Sequence, residues 1–243
     1  MKLHFITSIS KEYWYDTAQY CIPTWKLPGK VTIFVEQREG NIDWLKELPF
    51  EYELLYAPDL VLDELMDRTK ISKFWGKSCA QIKAVRDREE DERVIWIDAD
   101  VEQTAPVDES LFNFNFTEPL GMLNSGHPQD TWETGIVIFN QQFQKLSHVV
   151  KKYEQAWHDE EILYSLWKPY DACVLGYIAE GRGFYNLCTA ECKNVDALAN
   201  SVFSHCFKHW INKTNKALLK EKHESNSSNL SQDRPEPEKP RED

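Results

Sequence analysis

Two aspartates separated by one residue, Asp98 and Asp100, close the apolar run Val94-Ile95-Trp96-Ile97. Aspartate is a poor strand former, so a pair placed directly after such a run needs a reason beyond local preference. In extended chain alternate side chains point the same way, which lets the two carboxylates converge on one point. Hard oxygen ligands there suit Mg2+ or Mn2+, with water and substrate phosphates completing the coordination. Such a cation neutralises charge that grows on a phosphate leaving group, and a few kcal/mol of that help is worth roughly a hundredfold to a thousandfold in rate. The competing reading of a bare D-x-D is a solvated turn, and the apolar run before it argues against that.

The elements that must position this pair read as an α/β chain. Leu3–Ser8 and Lys30–Val35 are strand-like, with a helical stretch from about Lys11 to Trp25 between them, and Tyr52–Tyr56 is a third strand candidate. This strand–helix–strand opening predicts a parallel, Rossmann-like half-sheet. Cys79, Ile82 and Val85 recur at helical spacing, predicting a helix from about Ser78 to Glu90 that leads into the Val94–Ile97 strand. Val94–Ile97 itself has the continuous apolar character of a central strand buried on both faces. In an open α/β sheet ligands bind at the carboxyl ends of the strands, where Asp98 falls. Residues 103–126 read as irregular. Gly135–Phe139 is the next strand, followed by helices over Phe143–His158 and Asp171–Ala179.

Composition narrows the function further. Hydrophobic residues make up 42% and aromatic residues 13% of 243, which suits a folded chain with aromatic surface available for a ring-shaped ligand. A net charge of -12 argues against a general nucleic-acid binder, which needs a basic stripe. The six cysteines form no CxxC pair, so buried thiols are the expectation. No apolar segment is long enough for a membrane span or signal peptide, which gives a cytoplasmic expectation. From about Glu221 to Asp243 the chain is polar and rich in Pro, Ser and Glu, so we expect a folded domain over 1–220 and a disordered tail over 221–243.

The segment RVIWIDADVE (Arg93–Glu102) resembles the strand and D-x-D signature of GT-A glycosyltransferases, nearest to the glycogenin-like and lipopolysaccharide-galactosyltransferase-like groups. The resemblance covers about residues 3 to 215. It implies a single GT-A domain with a mostly parallel central sheet flanked by helices. It also implies Mn2+ or Mg2+ as cofactor, with a nucleotide-sugar donor (UDP-linked donors included) and a hydroxyl acceptor. By position it assigns Thr7 and Ser8 to the nucleotide cradle, Tyr13 to stacking on the base, and Lys83 to the donor. Gln81 stands where the family commonly has Arg. The strand Glu133–Asn140 resembles the family's strand that borders the donor sugar, which implies that place for Glu133, and Asp171 falls in a segment resembling the acidic one that meets sugar or acceptor. The resemblance further makes His205 a third metal ligand and Lys208 a diphosphate contact, although the usual glycine and proline of that element are absent.

Each assignment has a structural rival. His209 competes with His205 as ligand. Lys83 shares its helix with Lys77, Arg86 and Arg88, a mixture typical of a solvated face. Asp171 suits a base on the acceptor hydroxyl, but Asp also favours helix N-caps. At the level of function, two alternatives stand beside sugar transfer. One is a non-catalytic nucleotide-sugar-binding protein on the same fold. The other is a haloacid-dehalogenase-like phosphohydrolase, whose D-x-D normally lies near the N-terminus.

Overall fold

The β-branched and apolar runs form strands that pack side by side at the centre of the protein. The computed structural model describes residues 1–36, 42–60, 68–124, 132–166, 170–179, 183–188 and 197–209. Its strands are β1 (Lys2–Ile9), β2 (Lys30–Glu36), β3 (Glu51–Leu55), β4 (Glu92–Ile97), β5 (Val101–Gln103), β6 (Leu120–Asn124), β7 (Trp132–Phe139), β8 (Tyr185–Asn186) and β9 (Phe207–His209). Seven of them form one mostly parallel sheet in the order β3-β2-β1-β4-β7-β6-β8, and β5 pairs with β9 apart from it. From β3 to β4 the neighbours are parallel, whereas β7 runs antiparallel to both β4 and β6. The α/β architecture expected from the sequence is therefore the one observed.

Side-chain alternation divides the core between the two sheet faces. Ile6, Phe34, Val94, Trp96 and Val137 belong to one cluster, while Phe5, Ile33, Ile95, Ile97 and Ile136 belong to the other. The first cluster is roofed by the helices α3 (Arg68–Asp87), α4 (Leu146–Trp157) and α6 (Asp171–Ala179), with α5 (Glu160–Ser165) beside α4. The second is closed by short helical turns and by the aromatic residues Phe112, Phe203 and Phe207. All six residues of β4 are buried, as its unbroken apolar run requires.

Three expectations shift. The helix expected from about Ser78 to Glu90 begins ten residues earlier, as α3 (Arg68–Asp87). The stretch after β1 is a series of short turns, namely α1 (Lys11–Tyr13), a π-helical turn Trp14–Ala18, α2 (Gln19–Cys21) and a 3-10 turn Ile22–Thr24. Ser10 starts it by accepting from the Tyr13 N–H, and the wide π turn buries Trp14, Thr17 and Ala18 together. The span 103–126, expected to be irregular, contains β6, which is stabilised by pairing with β7. Cys21 and Cys206 are buried, and Cys79, Cys173 and Cys188 are partly buried. Cys192, the residues from 210 onward and the expected tail at 221–243 lie outside the described residues. Among the described residues no helix is long and apolar enough to cross a membrane.

Candidate active site

β1 and β4 are adjacent, with β2 and β3 following β1 along one direction of the sheet and β7 and β6 following β4 along the other, so their carboxyl ends flank a topological switch point. A cavity of about 810 Å³ opens there, lined by residues including Ser8, Tyr13, Glu36, Lys77, Asp98 and Asp100. Val35, Trp44, Leu45 and Leu54 give the same cavity an apolar wall.

Asp98 extends β4 by one residue, its N–H bonding to the Gly135 carbonyl at 2.9 Å. Its side chain lies on the α3 face, as does that of Trp96 two residues earlier, and the Trp96 Nε1–H donates to Asp98 Oδ1 at 2.6 Å. The same oxygen lies 2.6 Å from Lys77 Nζ, which also sits 2.8 Å from Asp171 Oδ2 and donates to Thr134 Oγ1 at 3.0 Å. Lys77 is thus a buried ammonium between two carboxylates, packed over the Trp96 ring at 5.1 Å. Burial alone would lower the Lys77 pKa, but Asp171 and Asp98 outweigh it and hold it above the ordinary value. For Asp98, burial pushes the pKa up; Lys77 opposes that push, and Asp100 and Asp171 add to it.

After Asp98 the chain turns, Val101 N–H bonding back to the Asp98 carbonyl at 3.0 Å, and β5 begins. β5 is anchored on one side by Trp25, whose Nε1–H donates to the Val101 carbonyl at 2.8 Å. On the other side it pairs antiparallel with β9, setting Val101 opposite His209. In β9 the alternation buries Phe207 and His209 and exposes Lys208. The pairing therefore brings the His209 imidazole to the acidic pair, and one ligand atom each from Asp98, Asp100 and His209 lie within 4.8 Å of one another. His205 is exposed in the turn before β9 and is not part of this group.

The other expected residues fall in several places. Ser8 lines the cavity and donates to Glu36 Oε1 at 3.3 Å, whereas Thr7, one residue earlier, is fully buried in β1 and does not line it. Tyr13 lines the cavity, and burial followed by the charges of Asp100 and Asp98 holds its phenol pKa above the ordinary value. Asp171, the first residue of α6, is only 2% exposed, and its carboxylate is committed to Lys77. Glu133 faces inward, with Oε1 2.7 Å from His209 Nδ1 and Oε2 accepting from the Ala197 N–H at 3.0 Å. Lys83 lies away from the cavity, 2.5 Å from Asp87 and 3.4 Å from Glu53. Gln81, in α3, is buried against α4, where its Oε1 accepts from the Tyr153 hydroxyl at 3.1 Å.

Lys77 is the residue that sequence reasoning missed. A helix that returns the chain between parallel strands runs antiparallel to them, so its first half lies beside their carboxyl ends. Lys83 is six residues later, about 9 Å further from that end at 1.5 Å per residue. The helix expected from the sequence begins only at about Ser78, so Lys77, midway along α3, falls just before it.

The site fits a divalent cation. Two carboxylates and an imidazole are a hard donor set for Mn2+ or Mg2+, with Mn2+ the better match for nitrogen. Asp98 Oδ1 is taken by Lys77 and Trp96, which leaves Oδ2 to turn toward a metal. Burial first, and then Asp100 and Asp171, disfavour the ionised form of Asp98, and a cation at this point would favour it.

No protein-family model matches the sequence, and no curated protein is similar to it. Solved structures do share its fold. The galactosyltransferase LgtC in complex with donor and acceptor sugar analogs is 11% identical, covering 91% of this chain and 95% of its own, with a TM-score of 0.59. The apo-form glycosyltransferase GlyE of Streptococcus pneumoniae TIGR4 is 13% identical, with a TM-score of 0.51 over 76% of this chain. The chain spans less than half of GlyE, 44% of its length. The fold is the GT-A glycosyltransferase fold. That fold differs from the one the haloacid-dehalogenase alternative requires, and the acidic pair follows its fourth strand, at the centre of the sheet.

Proposed function

We propose that this chain is a metal-dependent glycosyltransferase that moves a sugar from a nucleotide-diphosphate sugar to a hydroxyl acceptor. The observation that carries the reading is the convergence of Asp98, Asp100 and His209 on the cavity at the β1/β4 switch point. In this fold the nucleotide belongs at that point, and three ligands there suit a cation that binds a diphosphate. Mn2+ or Mg2+ on Asp98, Asp100 and His209 would neutralise charge on the departing nucleoside diphosphate.

The chain's own residues divide the remaining work. Ser8 and Tyr13 line the part of the cavity beyond β1, where a nucleoside has room against the wall of Val35, Trp44 and Leu54. Lys77 holds Asp98 and Asp171 at fixed positions and places a positive charge at the edge of the donor. Asp171 is nearly fully buried and its carboxylate is committed to Lys77, which suits it to anchoring that ammonium rather than to meeting an acceptor. Lys208, exposed on β9 next to His209, is available to a diphosphate from the solvent side.

The test is release of nucleoside diphosphate from a panel of nucleotide sugars, with and without Mn2+. The expected result is turnover of at least one donor that depends on added cation and stops on chelation. Cation-dependent nucleotide binding without turnover of any donor would favour the binding-protein alternative. Turnover that survives chelation would overturn the metal-dependent reading.

A further inference from the structure

Glu133 and Gly135 lie two apart on β7, and both face the His209 ring. Glu133 Oε1 is buried, has no aligned hydrogen-bond donor, and stands 2.7 Å from His209 Nδ1. Its other oxygen is fixed by the Ala197 N–H, so the carboxylate cannot swing away without losing that bond. At Gly135 an added Cβ would stand 2.3 Å from both Cε1 and Nε2 of His209, so the absence of a side chain there makes room for the ring. The ring is only 4% exposed. The three residues thus fix one imidazole in one place, beside two aspartates that converge on it.

We propose that Glu133 is the positioning residue that makes His209 a metal ligand. Its carboxylate accepts from Nδ1–H, selecting the tautomer whose lone pair is on Nε2, and aims that nitrogen at the cation held with Asp98 and Asp100. A small rotation of the ring aligns Nδ1–H with Oε1 while keeping Nε2 on the acidic pair. A carboxylate behind a ligating imidazole fixes its orientation and raises its basicity, and removing such a partner weakens metal binding by roughly tenfold to a hundredfold. Glu133 then acts through His209 and need not touch the donor. This inference rests on the metal-site reading above.

The experiment uses Mn2+ alone as probe. Free Mn2+ is counted by electron paramagnetic resonance in titrations of wild type, Glu133→Ala, Glu133→Gln, His209→Ala and the pair Asp98→Asn with Asp100→Asn. Pulsed spectra of the bound ion read out nitrogen coupling from the imidazole directly. Wild type is expected to show that coupling and His209→Ala to lose it. Glu133→Ala is expected to lose the coupling and to bind Mn2+ about tenfold to a hundredfold more weakly while melting close to wild type. Glu133→Gln offers one acceptor to two donors, Nδ1–H and the Ala197 N–H, and should fall between. If Glu133→Ala keeps both affinity and coupling while the double aspartate variant loses binding, the role of Glu133 is overturned and the metal site stands. If the double variant binds Mn2+ as tightly as wild type, the metal site falls and this inference falls with it.

Discussion

Strand β4 carries a buried charge near each end, and the two ends handle it differently. At its start Arg93 is fully buried, and its guanidinium is met by neutral acceptors: the Phe112 and Phe114 carbonyls at 2.7 and 2.8 Å and Gln141 Oε1 at 3.1 Å. Phe116 covers it from one side. Burial lowers its pKa to about 10, which still leaves it charged at neutral pH. Just past the other end, Asp98 lies among Asp100 and Asp171, with Lys77 as the buried ammonium and an open cavity alongside. Fixed dipoles around a single charge make a closed structural joint. Several acids around one lysine, open to a cavity, make a place that gains from another cation.

The comparison breaks most severely at Lys77. Lys77→Met leaves Asp98 and Asp171 without their shared ammonium, and removing one partner of a buried pair costs about 3–5 kcal/mol. Urea unfolding measures that loss, and a loss under 1 kcal/mol would show that the acids are relieved in some other way. Next, Asp98→Asn with Asp100→Asn should leave the fold intact and lower donor turnover on the order of a hundredfold to a thousandfold. A full rate in this variant would remove the chemistry from this end of the strand.

At the other end the effects should be purely structural. Arg93→Met removes the donor to two buried carbonyls and should cost about 1–3 kcal/mol of stability, with turnover per folded molecule unchanged. A turnover defect would show that the two ends of β4 are coupled. The smallest effect is expected at His4, near the same end, whose Nε2 meets Thr32 Oγ1 at 2.9 Å and whose Nδ1 is 3.4 Å from Glu92. Burial lowers its pKa below the ordinary 6.5, with Glu92 opposing and Lys30 assisting. Below 6.5 the unfolded chain takes up a proton that the folded chain does not, so this contribution is full above 6.5 and is lost as pH falls through that range. The melting temperature should therefore drop less between pH 7.5 and 5.5 in His4→Gln than in wild type, and identical slopes would show that His4 does not titrate differently on folding.

The contrast between the two ends also marks what was legible in the sequence. The apolar run ending in two aspartates was visible because a strand buried on both faces has a pattern of its own, and α6 begins and ends at the residues its pattern gave. β6 was not visible, because Leu120–Asn124 is short, follows Pro119, contains Gly121 and owes its extension to β7. At the site, spacing put Asp98 and Asp100 together, but the imidazole beside them was decided by pairing across a hundred residues. That β5–β9 register sets His209 inward and leaves His205 in an exposed turn. The choice between Lys77 and Lys83 was in principle readable from the direction of α3. What hid it was that charged residues all along that helix look alike until one half is placed beside the strand ends.

The account depends above all on a cation at the end of β4. Crystals grown with Mn2+ and a nucleoside diphosphate, measured at a wavelength where manganese scatters anomalously, locate that cation directly. We predict a single strong anomalous peak within bonding distance of Asp98, Asp100 and His209, with the diphosphate against it. A peak held by His205 instead, or diphosphate bound in the cavity with no metal at this triad, would contradict the account.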